Sequence, residues 1–272
     1  MAKKSFVDWL YTTAPGRVTL KVLLHTGALK LGEIVARSPL SKPFISRYIK
    51  NNNIDMSDFK GQKYNSFQDF FSRKCDDIEV DRQAEHLISP CDGYLSAYRI
   101  KVTTAFTSRL MVQGDGPCHR QKIEKEFVGG DCVILRLCAN DYHHYCYIDD
   151  GFQGKNHFVK GLLHSVQPIA LENAPVYRQN RRMWTILDTV NFGKVAQIEI
   201  GALLVGGIVN DHENVMMRKG AEMGHFELIG STIVLLFKKG HIDLLPEIKE
   251  CIKGDKEVRV IQGQHIANRT AF

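Results

Sequence analysis

The segment Met223–Phe237 reads MGHFELIGSTIVLLF, and it decides the fold predicted for this chain. Its second half, Ile233–Phe237, is an unbroken apolar run rich in β-branched residues, which is typical of a buried strand. The run is entered through Gly230, Ser231 and Thr232, a small polar triplet that most often marks only a turn. The sequence therefore predicts a buried strand that is entered through a glycine and a serine.

The composition is that of a folded globular protein. The chain has 272 residues, of which 44% are apolar and 24% charged, so it can bury a core as one large domain or two modest ones. Its seven cysteines form no CxxC pair, so we expect a reducing compartment, no disulfide framework and no metal site. No stretch reaches the roughly 18 apolar residues of a membrane span, and polar residues interrupt the N-terminal segment where a signal peptide needs an apolar core.

The positive charge is concentrated at the N-terminus. Residues 1–50 contain nine Lys or Arg against two acidic residues, whereas the whole chain has a net charge of +6. Apolar residues from 17 to 37 fall on one side of a helical projection, and a second basic helical piece follows the break at Ser38–Pro39. This pattern fits a helix packed on its own domain or a helix on a membrane surface. No nucleic-acid-binding motif is present, so we expect no nucleic-acid partner.

The remainder of the chain has the pattern of a β protein. After a short predicted helix with Phe67, Phe70 and Phe71 on its core face, brief apolar runs alternate with Gly, Asp and Asn. No helical period fills the gaps, so parallel βαβ units are disfavoured. The runs lie at 131–141, 142–151, 161–171, 183–189, 194–209 and 224–237. We predict an α+β fold, with an N-terminal amphipathic helical arm (1–60) on a mainly antiparallel β sandwich or partly open barrel (61–272).

Three short motifs contain residues suited to catalysis. Asp92 lies in SPCDG, His143 and His144 lie in NDYHHYC, and Ser231 opens the buried strand. Each motif alone is a weak signal, but a serine, a histidine and a carboxylate together form an activated nucleophile. The GxSxG elbow of ordinary hydrolases is missing, and Ser231 enters a strand rather than a helix. Because Gly230 permits unusual backbone angles, we expect Ser231 to attack the carbonyl group of Gly230 itself.

Six segments, in this order, resemble those of the phosphatidylserine decarboxylases. They are YNSFQDFFSRK (64–74), ISPCDGYLS (88–96), LRLCANDYHHY (135–145), HSVQPIAL (164–171), NFGKVAQIEIGALLVGGI (191–208) and KGAEMGHFELIGSTIVLLF (219–237). The last is the most specific, because its Lys-Gly, Glu-Met-Gly and Gly-Ser-Thr elements keep a fixed spacing.

The resemblance implies a self-cleaving proenzyme. Cleavage between Gly230 and Ser231 would give a large chain (1–230) and a small chain (231–272) that begins with a pyruvoyl group made from Ser231. The amine of phosphatidylserine would form a Schiff base with this group, lose carbon dioxide and become phosphatidylethanolamine. By the same resemblance, Asp92 and a nearby histidine activate Ser231, and His143 serves the decarboxylation step.

One position departs from the family pattern. The second histidine of the motif, which the family uses in self-cleavage, is replaced here by Cys146. The thiol, His144 or the surroundings of Asp92 could take its role. If residues 142–147 form a strand, residues 144 and 146 share one face, which favours His144.

The basic arm favours a lipid substrate over a soluble one. We expect a peripheral membrane protein on the cytoplasmic face, held at anionic lipid by charge and by Leu20, Leu24, Leu31 and Val35. A homodimer is compatible with this interpretation. Two alternatives are a pyruvoyl-dependent decarboxylase of a soluble amino acid and a catalytically silent membrane-surface binding module. A pyridoxal enzyme is disfavoured, because the chain shows neither a βαβ pattern nor a distinctive lysine site.

Overall fold

A computed structural model of the protein describes residues 5–26, 28–75, 77–100, 126–203, 207–228, 231–254 and 256–270. Its α-helices are α1 Phe6–Thr12, α2 Ala14–His25, α3 Ala28–Arg37, α4 Pro43–Asn52, α5 Phe67–Phe71, α6 Pro168–Asn173, α7 Val176–Gln179 and α8 Pro246–Lys253. Its strands are β1 His86–Ile88, β2 Gly93–Arg99, β3 Asp131–Leu137, β4 His144–Cys146, β5 Gly151–Gln153, β6 His157–Val159, β7 Arg182–Thr189, β8 Gly193–Gly201, β9 Ile208–Asn210, β10 Val215–Met217, β11 Glu222–Phe226, β12 Ser231–Phe237, β13 Ile242–Leu244, β14 Val258–Val260 and β15 His265–Arg269.

Local sequence signals set the ends of the N-terminal helices. Ser5 caps α1 in a reciprocal capping box with Asp8, and the Thr13 side chain caps α2. A 3₁₀ turn, Pro39–Ser41, separates α3 from α4 at the predicted proline break. Helix α4 ends at Asn52, and the next residue, Asn53, has a left-handed backbone conformation with a φ of 50°.

The N-terminal helices pack on the body of the protein. Leu10, Tyr11 and Leu20 are buried in a cluster with Val166 and Ala170, because α1 and α2 lie against α6 and its neighbours. Leu20 was expected to face a membrane and is instead part of this core. Helix α5 buries Phe70 and Phe71 as predicted.

The strands form three sheets, and every pairing between them is antiparallel. The largest sheet has the order β10-β5-β7-β8-β12-β3-β2-β14, with β6 also paired to β7. The first and last strands of this order, β10 and β14, do not pair with each other, so the described strands of this sheet do not close into a barrel. Two three-stranded sheets have the orders β1-β15-β13 and β4-β11-β9. This confirms the predicted α+β class, but the run at 161–171 forms no strand: Leu162 makes only an isolated bridge to Asn180, and Pro168 begins α6.

Strand β12 lies at the centre of the largest sheet, paired to β3 on one side and β8 on the other. All of its residues are buried. Ile233, Leu235 and Phe237 join the main core, whereas Val234 and Leu236 join a second core on the opposite face. The unbroken apolar run is therefore explained by burial on both faces of the strand.

Candidate active site

Ser231 is the first residue of β12, and its side chain is fully buried. Its cross-strand partners are Leu137 on β3 and Gly201 on β8. Side chains alternate along a strand, so Ser231 shares the face of Ile233 and points toward the main core. Its Oγ has no hydrogen-bond partner among the described residues, which is unusual for a buried hydroxyl group.

Asp92 lies in the turn between β1 and β2 and holds two distant segments together. Its Oδ1 accepts a hydrogen bond from the backbone N–H of Gln262 at 2.9 Å. Its Oδ2 accepts a longer bond from the backbone N–H of Tyr142 at 3.4 Å, directly before His143. Asp92 therefore acts on the histidine segment through the backbone.

A second carboxylate, Asp141, belongs to the same group and was missed by the sequence reasoning. It is buried; its Oδ2 accepts the Cys138 N–H at 2.6 Å, and its Oδ1 lies 2.7 Å from Nη1 of Arg259. Nη2 of the same guanidinium group lies 3.8 Å from Oδ2 of Asp92. Burial raises the pKa of Asp141, and the Cys138 N–H and Arg259 oppose that rise. The adjacency of Asp141 to Tyr142 and His143 could have flagged it, but no local signal points to Arg259.

His143 is fully buried, with its ring 4.2 Å from the ring of Phe71 in the main core. Its Nδ1 lies 2.9 Å from the backbone oxygen of Asp141. A carbonyl oxygen only accepts, so Nδ1 carries the proton and Nε2 presents a lone pair. Burial lowers the pKa of His143 to about 3, so the ring is neutral at neutral pH. No described residue hydrogen-bonds to Nε2, so its lone pair is available to accept a hydrogen bond.

His144 is engaged at both ring nitrogens. Its Nδ1 lies 2.6 Å from Oε1 of Glu222, and its Nε2 lies 3.1 Å from the backbone oxygen of Ser72. Glu222, on the adjacent strand β11, also forms an ion pair with Lys74. A carboxylate at Nδ1 orients a histidine and stabilises its charged form, as in serine hydrolases. The sequence reasoning did not identify Glu222, because its contact depends on strand pairing.

Cys146 is at the end of β4 and is buried. Burial raises the pKa of its thiol to about 11. The thiol therefore keeps its proton at neutral pH, and a protonated thiol does not act as a base.

Of the four predicted catalytic residues, His143 and Ser231 face the main core, and none of the other three hydrogen-bonds to Ser231 Oγ. Asp92 and His143 are linked through Tyr142, and His144 follows in β4. A cavity of about 330 Å³ opens where β3 and β8 end and β12 begins. Its lining includes Leu137, Ala202, Val7, Asn52, Arg136 and Gln167. The end of β12 that bears Ser231 therefore adjoins a space that could admit a ligand.

The chain is similar in sequence to known proteins. A sequence model of the family described as phosphatidylserine decarboxylase matches residues 67–268. The chain is 38% identical over 268 residues to phosphatidylserine decarboxylase proenzyme 2 of Clostridium acetobutylicum, covering 97% of this chain and 92% of that protein. It is 35% identical over 279 residues to the phosphatidylserine decarboxylase proenzyme of Clostridium kluyveri, covering 98% and 93%. Since the match extends over the helices, the three sheets and every residue of the candidate site, the chain belongs to the phosphatidylserine decarboxylase family.

Proposed function

We propose that this protein converts phosphatidylserine into phosphatidylethanolamine and carbon dioxide, with a pyruvoyl group made from Ser231. The observation that carries the proposal is the buried, unpartnered Oγ of Ser231 at the head of the central strand. Leaving a buried polar group unpaired costs about 1–3 kcal/mol, so a reactive role gives a reason for this hydroxyl group. Gly230, the other side of the proposed cut, lies outside the described residues.

The proposed cut divides the protein into a large chain, 1–230, and a small chain, 231–272. The surroundings of Ser231 fit a pyruvoyl group at this position. Gly201, opposite Ser231, has no side chain, and none of the described residues forms a hydrogen bond with Ser231 Oγ that conversion would break. When present, such a group supplies an electrophilic carbonyl that accepts the electrons released as carbon dioxide leaves.

We assign the proton transfers of self-cleavage to His144, with Asp92 holding the adjacent backbone. Both ring nitrogens of His144 donate to oxygens that only accept, so Nε2 becomes a base after it loses its proton and leaves the backbone oxygen of Ser72. The Glu222 carboxylate then holds the proton on Nδ1. His143 serves the decarboxylation stage, where the lone pair on its Nε2 accepts a hydrogen bond from the ammonium group of the substrate.

We further propose that residues 1–60 hold the protein at an anionic membrane surface. None of the helices in the described part of the chain has the length and apolar character needed to cross a bilayer. Several apolar side chains of this region are exposed beside lysine and arginine, which favours shallow insertion and electrostatic attraction. The most exposed of them are Phe6, Val18, Leu31, Ile34, Leu40 and Phe44.

The first test is the mass of the purified protein. We expect two chains from the wild type and one full-length chain from Ser231→Ala. Thr232→Val, at the next position and on the opposite face of β12, is the matched control and should still cleave. A wild type that remains one chain while it is active would contradict the pyruvoyl mechanism.

The second test separates the lipid substrate from its alternatives. Carbon dioxide release is measured with phosphatidylserine vesicles and with free amino acids. Release from vesicles alone supports the proposal, and release from a free amino acid would favour a soluble-substrate decarboxylase. Vesicle binding without release from either source would indicate a silent binding module.

A further inference from the structure

The proposed reaction needs a group that donates a proton, and this inference rests on that proposed function. Decarboxylation breaks the bond between the α carbon and the carboxylate carbon of the substrate, and the electron pair stays with the α-carbon side as carbon dioxide leaves. The α carbon must then gain one proton. The site therefore requires an acid that holds a proton at neutral pH.

His143 does not hold such a proton. Its Nδ1–H is committed to the backbone oxygen of Asp141, and its Nε2 presents a lone pair. Burial disfavours the charged ring, so Nε2 carries no proton at neutral pH. The donor must be a different group near Ser231.

Glu199 is a fully buried carboxyl group on β8 that none of the steps above uses. It pairs with Ile233 on β12, whereas Gly201, two residues further, pairs with Ser231. Directly paired residues point to the same face of a sheet, so Glu199 and Ser231 face the main core together. Diagonal neighbours of this kind lie about 7 Å apart, within reach of a long side chain. Gly201 contributes no side chain between them.

Burial favours the protonated form of Glu199, and the hydrogen bonds to its carboxyl group oppose this effect. Its Oε1 accepts a hydrogen bond from Nε2 of Gln197 at 2.9 Å, and the side chain of Asn210 also lies against the carboxyl group. Burial raises the pKa of Glu199 to about 7. Tyr145, on β4, is a titratable side chain whose pKa is raised by burial and in part by the charge of Glu199. Side chains that do not titrate also face it: Met183 on β7, Ile233 on β12, Asn210 on β9 and Met223 on β11.

We propose that Glu199 is the catalytic acid that reprotonates the α carbon of the substrate. Its O–H bond breaks, the proton passes to the α carbon, and the carboxylate that remains takes a proton from water before the next turnover. One proton is consumed for each carbon dioxide released, so the reaction balances without another reactant.

Glu199→Gln tests the proposal, because glutamine keeps the size and the hydrogen bonds but cannot exchange this proton. We expect the variant to cleave into two chains and to bind phosphatidylserine vesicles with an unchanged KM. Its kcat should fall by about 10²-fold or more. In the wild type, kcat should decrease as the pH rises through about 7, because the acid loses its proton, and this decrease should be absent in Glu199→Gln. Glu199→Asp should restore part of kcat.

Asp149→Asn is a matched control. Asp149 is also a buried carboxyl group whose pKa is raised by burial. Its carboxylate accepts hydrogen bonds from the backbone N–H and the side-chain amide of Asn191. Asn191 lies just before β8, at the other end of that strand from Gly201. This variant should leave kcat and its pH dependence unchanged.

A second measurement does not depend on activity. In the folded, uncleaved Ser231→Ala protein, Glu199 keeps its proton up to a pH of about 7. In the unfolded chain, the same side chain loses its proton at the ordinary glutamate pKa of about 4.3. The free energy of unfolding should therefore fall as pH rises from there to about 7, and less so after Glu199→Gln. This readout remains available if Glu199→Gln impairs cleavage.

Two results would overturn the proposal. The first is a Glu199→Gln enzyme with wild-type kcat and pH dependence. The second is identical pH dependence of stability with and without the substitution. A wild type that does not cleave would instead contradict the proposed function, which the mass measurement reports separately.

Discussion

His143 and His144 are adjacent in the chain, but their ring nitrogens meet different neighbours. We expect His144→Ala to remain mostly full length, because the Glu222-supported base is lost. His143→Ala should cleave and then release carbon dioxide about 10²-fold more slowly or worse. Intact mass and carbon dioxide release measure the two effects. Normal cleavage by His144→Ala, with a block in Cys146→Ala, would transfer the processing role to the thiol.

Arg259 is expected to stabilise the two carboxylates of the site, Asp92 and Asp141. In the Ser231→Ala precursor, Arg259→Gln should lower the free energy of unfolding by about 1–3 kcal/mol, since buried Asp141 loses its ionic partner. Urea unfolding measures this change. Arg99→Gln is the control, because the exposed Arg99 side chain pairs with Asp131 and such a pair contributes about 0–1 kcal/mol. Equal effects of the two substitutions would mean that Arg259 has no special role.

The sequence could identify the residues with local motifs but not their partners. Asp92, His143, His144 and Ser231 stand in recognisable segments; the structure links Asp92 to the histidine segment through Tyr142 and places His143 and Ser231 against the main core. Glu222 and Arg259 meet their partners only through pairings across 78 and 118 or more positions, respectively. Such contacts depend on strand register, which a single sequence does not reveal.

At the scale of the helices, α3 is the element expected to contact the membrane. Leu31 and Ile34 are 67% and 63% exposed, so replacing both with serine should weaken binding to anionic vesicles without affecting cleavage. Val190→Ser, at a 70% exposed apolar position on the body, is the control. Vesicle sedimentation at low and high salt measures binding, since screening reduces the charge contribution beyond about 8 Å. Unchanged binding would give these helices a structural role only.

Removing residues 1–50 would be a poor test of this role. Leu10, Tyr11 and Ile45 from this region are buried, and Tyr11 lies 3.0 Å from Nδ1 of His164 in the body. The helical projection grouped Leu20 with Leu31, although α2 turns Leu20 inward and α3 leaves Leu31 exposed. The sequence therefore predicted amphipathic helices correctly, but which apolar residues face the core depends on packing partners more than a hundred residues away.

At the scale of the whole molecule, the antiparallel architecture was predictable from punctuated apolar runs. The three-sheet arrangement was not, because the runs give no strand order. Short helices such as α6 and α8 were missed, since a single turn or two carries too little periodicity to separate from a loop or strand.

The two chains should remain together after the proposed cut. The small chain would contain β12, which is hydrogen-bonded to β3 and β8 of the large chain. It would also contain Arg259, which pairs with Asp141 of the large chain. We expect both chains to elute together at native pH and to separate only in denaturant. Separation of folded material without denaturant would contradict this.

Because β12 lies at the centre of the sheet, each molecule is expected to fold and cleave only once. The strand must be paired on both sides before Ser231 is buried and oriented, so folding comes before cutting. After the cut, the sequence that directs folding is divided between two separate chains, which would have to meet in solution before they could refold together. A mature molecule that unfolds is therefore not expected to recover, and lost activity would be replaced only by new synthesis.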